Sequence, residues 1–282
     1  QAQQGKEADL PQFDAYTATA RLDGPEKLLS AAYIFGAEMK QREGYFNGFG
    51  NLISLRTEHG EYASVGWGGQ NEGWARLEVK GSLTPVVVER LREAIPDHRV
   101  TRVDSAHDVD KPGAWDELLG ICLDVKREFR LKGDKRGDWD DFPEDGRTLY
   151  LGAPSSPIKA RLYEKGKQPE YRQAGKPDWT RLELQISPQK DAREVYSKLS
   201  ATEVWGASKY TRALAARVLE SELAAYPPGT VRRDSQRDRA IRFMCEQYGA
   251  HLMSLKDDLG SWDCVGLTLA EIIREVRSTR EQ

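Results

Sequence analysis

Three short runs of this sequence set polar side chains two residues apart. In Arg102-Val-Asp104-Ser-Ala106-His-Asp108, the residues Arg102, Asp104 and Asp108 share one parity; in Arg161-Leu-Tyr163-Glu-Lys165, Arg161, Tyr163 and Lys165 do. In Arg181-Leu-Glu183-Leu-Gln185-Ile186 the polar set is Arg181, Glu183 and Gln185, with Leu182, Leu184 and Ile186 opposite. Side chains alternate across an extended strand, so each run would line one face. Were the strands neighbours, that face would hold carboxylates, a tyrosine and several cations. Clustered carboxylates suit a hard divalent cation such as Mg²⁺ or Mn²⁺. A cation beside a tyrosine and basic groups is what phosphodiester chemistry needs, because charge develops on the phosphate oxygens. The same spacing also describes an antiparallel sheet with a wet face of Arg–Asp and Arg–Glu cross-strand pairs. Spacing alone leaves both readings open.

Other chemistries leave no trace. The sequence has no G-x-x-x-x-G-K-[ST], no G-x-S-x-G and no H-E-x-x-H, and its four histidines (His59, His98, His107, His251) are scattered. Its three cysteines, Cys122, Cys245 and Cys264, form no C-x-x-C and are expected to be reduced and mostly buried, as in a cytoplasmic protein. No run approaches the length of a membrane span, and the polar first ten residues give no expectation of a signal peptide. Net charge is −3 over 282 residues, which by itself does not advertise a nucleic-acid partner. The distribution is less even. Thirteen acidic residues face seven basic ones between Val103 and Gly146, whereas eight basic face four acidic between Arg147 and Ile186. Such a sequence of charge could place a cation beside an anionic ligand, or it could be ordinary solvated surface.

The elements that would position these groups can be read from periodicity and turn residues. Strands are expected over Phe13–Leu22, Trp74–Val79, Val100–Val109, Thr148–Gly152, Ile158–Lys165 and Thr180–Ile186, with a hairpin over Asn47–Val65. Helices are expected after Gly24-Pro25, from the Thr84-Pro85 cap to Ile95, and over Pro112–Arg130. Lys132–Gly146 reads as a loop, in which Asp138-Trp139 could form a flap. Trp67 and Gly68-Gly69 read as a turn, with base stacking a weaker possibility. After Pro188 the pattern turns helical, broken at Pro227-Pro228-Gly229 and again near Gly260–Gly266. The expectation is an α+β fold: an antiparallel sheet with packed helices over residues 1–188, then a helical C-terminal region over 189–282. Ala75-Arg-Leu-Glu-Val79 and Thr180-Arg-Leu-Glu-Leu184, each shortly after a tryptophan, hint at two related RRM-like halves.

Taken in order, Arg99-Val-Thr-Arg-Val-Asp104 with Asp108, Gly146-Arg-Thr-Leu-Tyr-Leu-Gly152, Ser155-Ser156, Ala160-Arg-Leu-Tyr-Glu-Lys-Gly166 and Trp179-Thr-Arg-Leu-Glu-Leu184 resemble the core of the replication initiation factor (Rep-trans) family. This family comprises rolling-circle initiators of plasmids and filamentous phages and related relaxases. The resemblance spans roughly Phe13 to Pro188, which makes residues 1–188 the nicking and DNA-binding domain, and implies an enzyme that nicks an origin, keeps the 5′-phosphate on a tyrosine and releases a 3′-OH for synthesis. It implies Tyr163 as nucleophile, and Asp104 and Glu183 as ligands of Mg²⁺ or Mn²⁺, with Asp108, His107 and Glu78 as candidates for a third. Beside that tyrosine, Lys165 would favour the phenolate, and Arg161 or Arg181 would hold the phosphate. Lys167 and Arg172 would contact single-stranded DNA; the cluster Arg232, Arg233, Arg237, Arg239 and Arg242 would contact duplex phosphates. The implied partners are origin DNA, single-stranded or as an extruded hairpin, and a host helicase. Two other readings stay open: a relaxase of a mobile element using the same nick, and a non-catalytic module that binds single-stranded nucleic acid.

Overall fold

The computed structural model describes residues 10–42, 47–142, 145–229 and 236–280. They fall into two compact units that divide at residue 230. The first contains β1 (Gln12–Ala20), α1 (Glu26–Ala32), β2 (Glu38–Arg42), β3 (Asn51–Thr57), β4 (Gly60–Trp67), β5 (Ala75–Lys80), α2 (Thr84–Ala94), β6 (Arg99–Asp110), α3 (Ala114–Glu128), β7 (Gly133–Arg136), β8 (Thr148–Leu151), β9 (Ile158–Glu164), β10 (Trp179–Ile186), α4 (Ala192–Tyr196) and α5 (Lys209–Val218). The second contains α6 (Gln236–Leu259) and α7 (Trp262–Arg280), separated at Gly260, whose φ of +81° suits a residue without a Cβ. No helix among the described residues is long and apolar enough to cross a membrane.

The ten strands form one sheet in the order β2-β3-β4-β5-β1-β6-β10-β9-β8-β7, and every neighbouring pair is antiparallel. This order contains a repeat. Each half runs strand, helix, then four strands, and in each half the first strand pairs with the last. The two first strands, β1 and β6, pair antiparallel at the centre, so the halves are related by a pseudo-two-fold axis near the Ala15–Asp104 pair. The recurring Arg-Leu-Glu falls on β5 and β10, the equivalent last strands, and both copies read Trp-x-Arg-Leu-Glu.

One face of the sheet is apolar. Tyr16, Ala18, Leu77, Val79, Val103, Leu162, Leu182, Leu184 and Ile186 are buried in a single cluster with Leu28 of α1, Val87 and Leu91 of α2, Leu118 and Cys122 of α3, Tyr196 of α4 and Leu214 of α5. The helices therefore cover this face, and the polar parity of each strand is turned away from them. Residues 192–218 belong with the sheet for a specific reason. Trp205, fully buried, donates Nε1–H to Ser105 Oγ at 3.0 Å, and Ser105 in turn donates to the Ala201 carbonyl at 2.7 Å. Helix α5 is fixed by a reciprocal cap in which Thr211 N–H donates to Ser208 Oγ and Ser208 N–H donates to Thr211 Oγ1. The first compact unit thus extends past Pro188, the expected domain limit.

Several local expectations are corrected. Thr84 does not cap α2; its hydroxyl donates to the Asp14 carbonyl at 3.0 Å and so ties the helix start to β1. The stretch read as a loop over Lys132–Gly146 contains edge strand β7, and Trp139 packs against Trp115 with ring centroids 5.6 Å apart. Edge strand β2 has no counterpart in the sequence reading. Of the cysteines, Cys122 is buried but Cys245 and Cys264 are exposed.

Candidate active site on the open face of the sheet

The three polar runs do become neighbours. In the register of β6, β10 and β9, Arg181 lies opposite Asp108 on one side and Tyr163 on the other. Glu183 lies opposite Ala106 and Arg161, and Gln185 opposite Asp104 and Lys159. Cross-strand partners point to the same face. Arg102, Asp104, Asp108, Arg161, Tyr163, Arg181 and Glu183 consequently share the face that the helices leave open.

Tyr163 is at the centre of this arrangement. Its hydroxyl donates to Glu183 Oε2 at 3.2 Å. The Arg161 guanidinium donates to both Glu183 oxygens at 2.9 Å and stacks 4.6 Å above the Tyr163 ring. Burial, and after it the Glu183 charge, push the phenol well above its ordinary value, while Arg181 and Arg161 pull the other way. The tyrosine is thus kept protonated, with an acceptor for its proton already in hydrogen-bond contact.

Around it the carboxylates are answered by arginines. The Arg181 fork meets Asp108 at 2.7 and 2.5 Å and also holds Asp14. Trp179 Nε1–H donates to Asp108 at 2.8 Å. Burial raises Asp108, but Arg181, Lys165 and Trp179 outweigh it and hold the carboxyl below its usual range. Arg102 grips Asp104 at 2.9 and 2.5 Å. Asp104 nevertheless rises to about 6, through burial first and then the repulsion of Glu183 and Asp14. Asp104 and Glu183 are buried hard oxygen donors, and a divalent cation would relieve the repulsion that raises Asp104, so the residues present fit Mg²⁺ or Mn²⁺. Among the described residues no three acidic, histidine or cysteine side chains gather into a ready-made cage.

The expected third ligands separate. His107 is on the apolar side of β6, beside Leu118 and Ile121, because its parity is opposite to that of Asp108. Glu78 is on the open face but across β1 in the other half, paired with Arg76 at 2.6 Å. Asp108 stays in the cluster. A residue the sequence reading missed joins it: Asp14 is the extra residue of a bulge in β1 between Phe13 and Ala15, and its carboxylate reaches Arg181. An acid between two buried aromatic residues, Phe13 and Tyr16, was the signal available.

The expected DNA-contacting cations divide as well. Lys165 and Arg181 are only 5% and 7% exposed, so neither is a surface phosphate contact. The Lys165 amine sits 4.5 Å over the Trp179 ring and 4.7 Å over Tyr171, and burial, then Arg181, lower it to about 8. The cations that act on the Tyr163 phenol are accordingly Arg181 and Arg161. Lys167 pairs with Glu164 at 2.8 Å, next to Arg147. Arg172 is exposed and donates to the Lys167 carbonyl. Arg232 and Arg233 lie outside the described residues. Gly68 and Gly69 form a turn closed on residues 48–50, where a Cβ on Gly69 would stand 2.5 Å from the Gly50 nitrogen.

A family model described as replication initiation factor matches residues 98–256. No curated protein matches the sequence. Among solved structures, the fold is similar to that of the rolling circle replication initiator protein from Geobacillus stearothermophilus, with a TM-score of 0.52 and 17% identity over 78% of this chain and 99% of that one.

Proposed function

This chain belongs to the replication initiation factor family, and on that premise we propose that it nicks one strand of origin DNA with Tyr163 and so begins rolling-circle replication. The observation that carries this reading is the Tyr163 hydroxyl held 3.2 Å from the Glu183 carboxylate on an open face lined with arginines. In the reaction, the phenolic oxygen attacks the scissile phosphorus while its proton passes toward Glu183 Oε2. A tyrosine–phosphorus bond forms, the bond to the 3′ oxygen breaks, and the freed 3′ end takes up a proton and is available for synthesis. Arg161, whose side chain is 39% exposed, would hold a non-bridging oxygen, where charge accumulates, while the buried Arg181 acts on the phenol from its place against Asp108 and Asp14. Their carboxylate partners keep both guanidinium groups oriented before DNA arrives.

Asp104 and Glu183 would hold Mg²⁺ or Mn²⁺, with Asp14 and Asp108 beside them. When bound, such an ion polarises the scissile phosphate. Labelled single-stranded origin oligonucleotide incubated with the protein and Mn²⁺, then run on a denaturing gel, tests the proposal. A covalent protein–DNA band is expected. Its absence across a random-sequence pool would instead favour a non-catalytic binding module.

A further inference from the structure

The internal repeat superimposes residues of the candidate active site on a second location. Through the strand register, Arg181 and Glu183 of β10 correspond to Arg76 and Glu78 of β5, and Trp179 corresponds to Trp74. The partner of Arg181 on β9 is Tyr163, whereas the partner of Arg76 on β4 is Gly66. Likewise Arg161, opposite Glu183, is replaced by Ser64, opposite Glu78. On the central strands Asp108 is replaced by Thr19. Because the pseudo-axis is perpendicular to the sheet, both locations are on the same open face. The first half has kept the tryptophan, arginine and glutamate and has lost the nucleophile and the aspartates. A side chain at Gly66 would be crowded, since a Cβ there would stand 3.3 Å from the Phe49 side chain.

What remains has the character of a strand-binding site. Trp74 is half-exposed and carries the Arg21 guanidinium 5.5 Å over its ring, whereas Trp179 is engaged by Lys165 and Asp108. Beside Trp74, where the start of β6 meets α4, a cleft of about 510 Å³ is lined by Arg21, Asp97, His98, Arg99, Glu194 and Lys198, with Arg99 paired to Glu194 at 3.5 Å. Arg21 stacked over a half-buried indole, with Arg99 on the same cleft, matches a phosphate flanked by a stackable base. Glu78 pairs with Arg76 and no other acid of the catalytic half is reproduced here.

We propose that Trp74 and Arg76, with Arg21 and Arg99, form a second single-stranded DNA subsite that grips the strand without cutting it. It rests on the reading of the open face as the DNA face. Asp108 lies nine positions along β6 from Arg99, so the two subsites are on the order of 30 Å apart at the rise of an extended strand. One DNA strand spanning them would be anchored at both ends of the sheet, and only the end at Tyr163 would be nicked.

The test uses the full chain and fluorescein-labelled oligothymidylates of about 4 and about 16 nucleotides, the limits of ordinary single-strand site sizes. Anisotropy should show that Trp74→Ala and Arg76→Gln each weaken the long oligonucleotide roughly tenfold, the effect of one lost stacked base or phosphate contact. Binding of the short oligonucleotide at the Tyr163 site should be unchanged, and Trp74→Phe, which keeps a stacking face, should recover most of the loss. Equal loss for both lengths, or none for the long one, would overturn the proposal. Adduct formation on a short origin oligonucleotide with Mn²⁺ reads the Tyr163 site separately, so a failed nick and a failed second subsite are told apart.

Discussion

Tyr163, Asp104 and Lys165 each occupy a position where ionisation is displaced from its ordinary range, and each displacement predicts a measurement. Tyr163→Phe removes one oxygen and leaves the Arg161 stack, so covalent adduct should vanish on denaturing gels while oligonucleotide affinity stays within about twofold, a phenol hydrogen bond being a small part of a charged interface. Cation binding needs ionised carboxylates. With Asp104 near 6, Mn²⁺ affinity followed by electron paramagnetic resonance should fall as pH drops below about 6, and Asp104→Asn should remove that step. For Lys165, lowered from 10.5 to about 8, the folded state binds fewer protons than the unfolded state between those values. Stability contributed by this group therefore rises as pH increases through the interval. Urea titrations should show that rise in the parent protein and a flatter profile in Lys165→Met.

At the scale of elements, the apolar parity of β10 is what turns its polar parity outward. Leu184 is fully buried, and Leu184→Ala should cost about 2–5 kcal/mol in chemical denaturation. The same alternation made β6, β9 and β10 legible from sequence, and with them the grouping of Arg161, Tyr163, Arg181, Glu183, Asp104 and Asp108 on one face. The edges were not legible. Glu38–Arg42 and Gly133–Arg136 are exposed at every position, so neither strand has a buried face to impose alternation, and their charged residues suit edges that must not recruit another sheet. The bulge at Asp14 was hidden for a different reason, since it depends on the register of β1 against β6. The engagement of Arg181 and Lys165 was hidden too: a list of basic residues does not distinguish cations committed to internal carboxylates and rings from cations facing solvent.

Across the whole molecule, the core of the first unit includes, among the described residues, none beyond Tyr226, counting those packed at its margin. A chain ending at residue 229 should accordingly keep its strand content by circular dichroism and melt in one cooperative transition. The central pairing of β1 with β6 also bears on how such a molecule is made. All five strands and both helices of the first half lie between Gln12 and Ala94, ahead of β6, so a ribosome delivers a half-sheet whose innermost strand has one bare edge. Until Arg99–Asp110 emerges, the surface best matched to that edge is the equivalent strand of another unfinished chain, because the pseudo-axis makes β1 resemble its own partner. Neighbouring ribosomes on one message would bring such edges together, and slow translation after Ala94 should increase swapped dimers and inclusion bodies, while a pause placed after Asp110 should not.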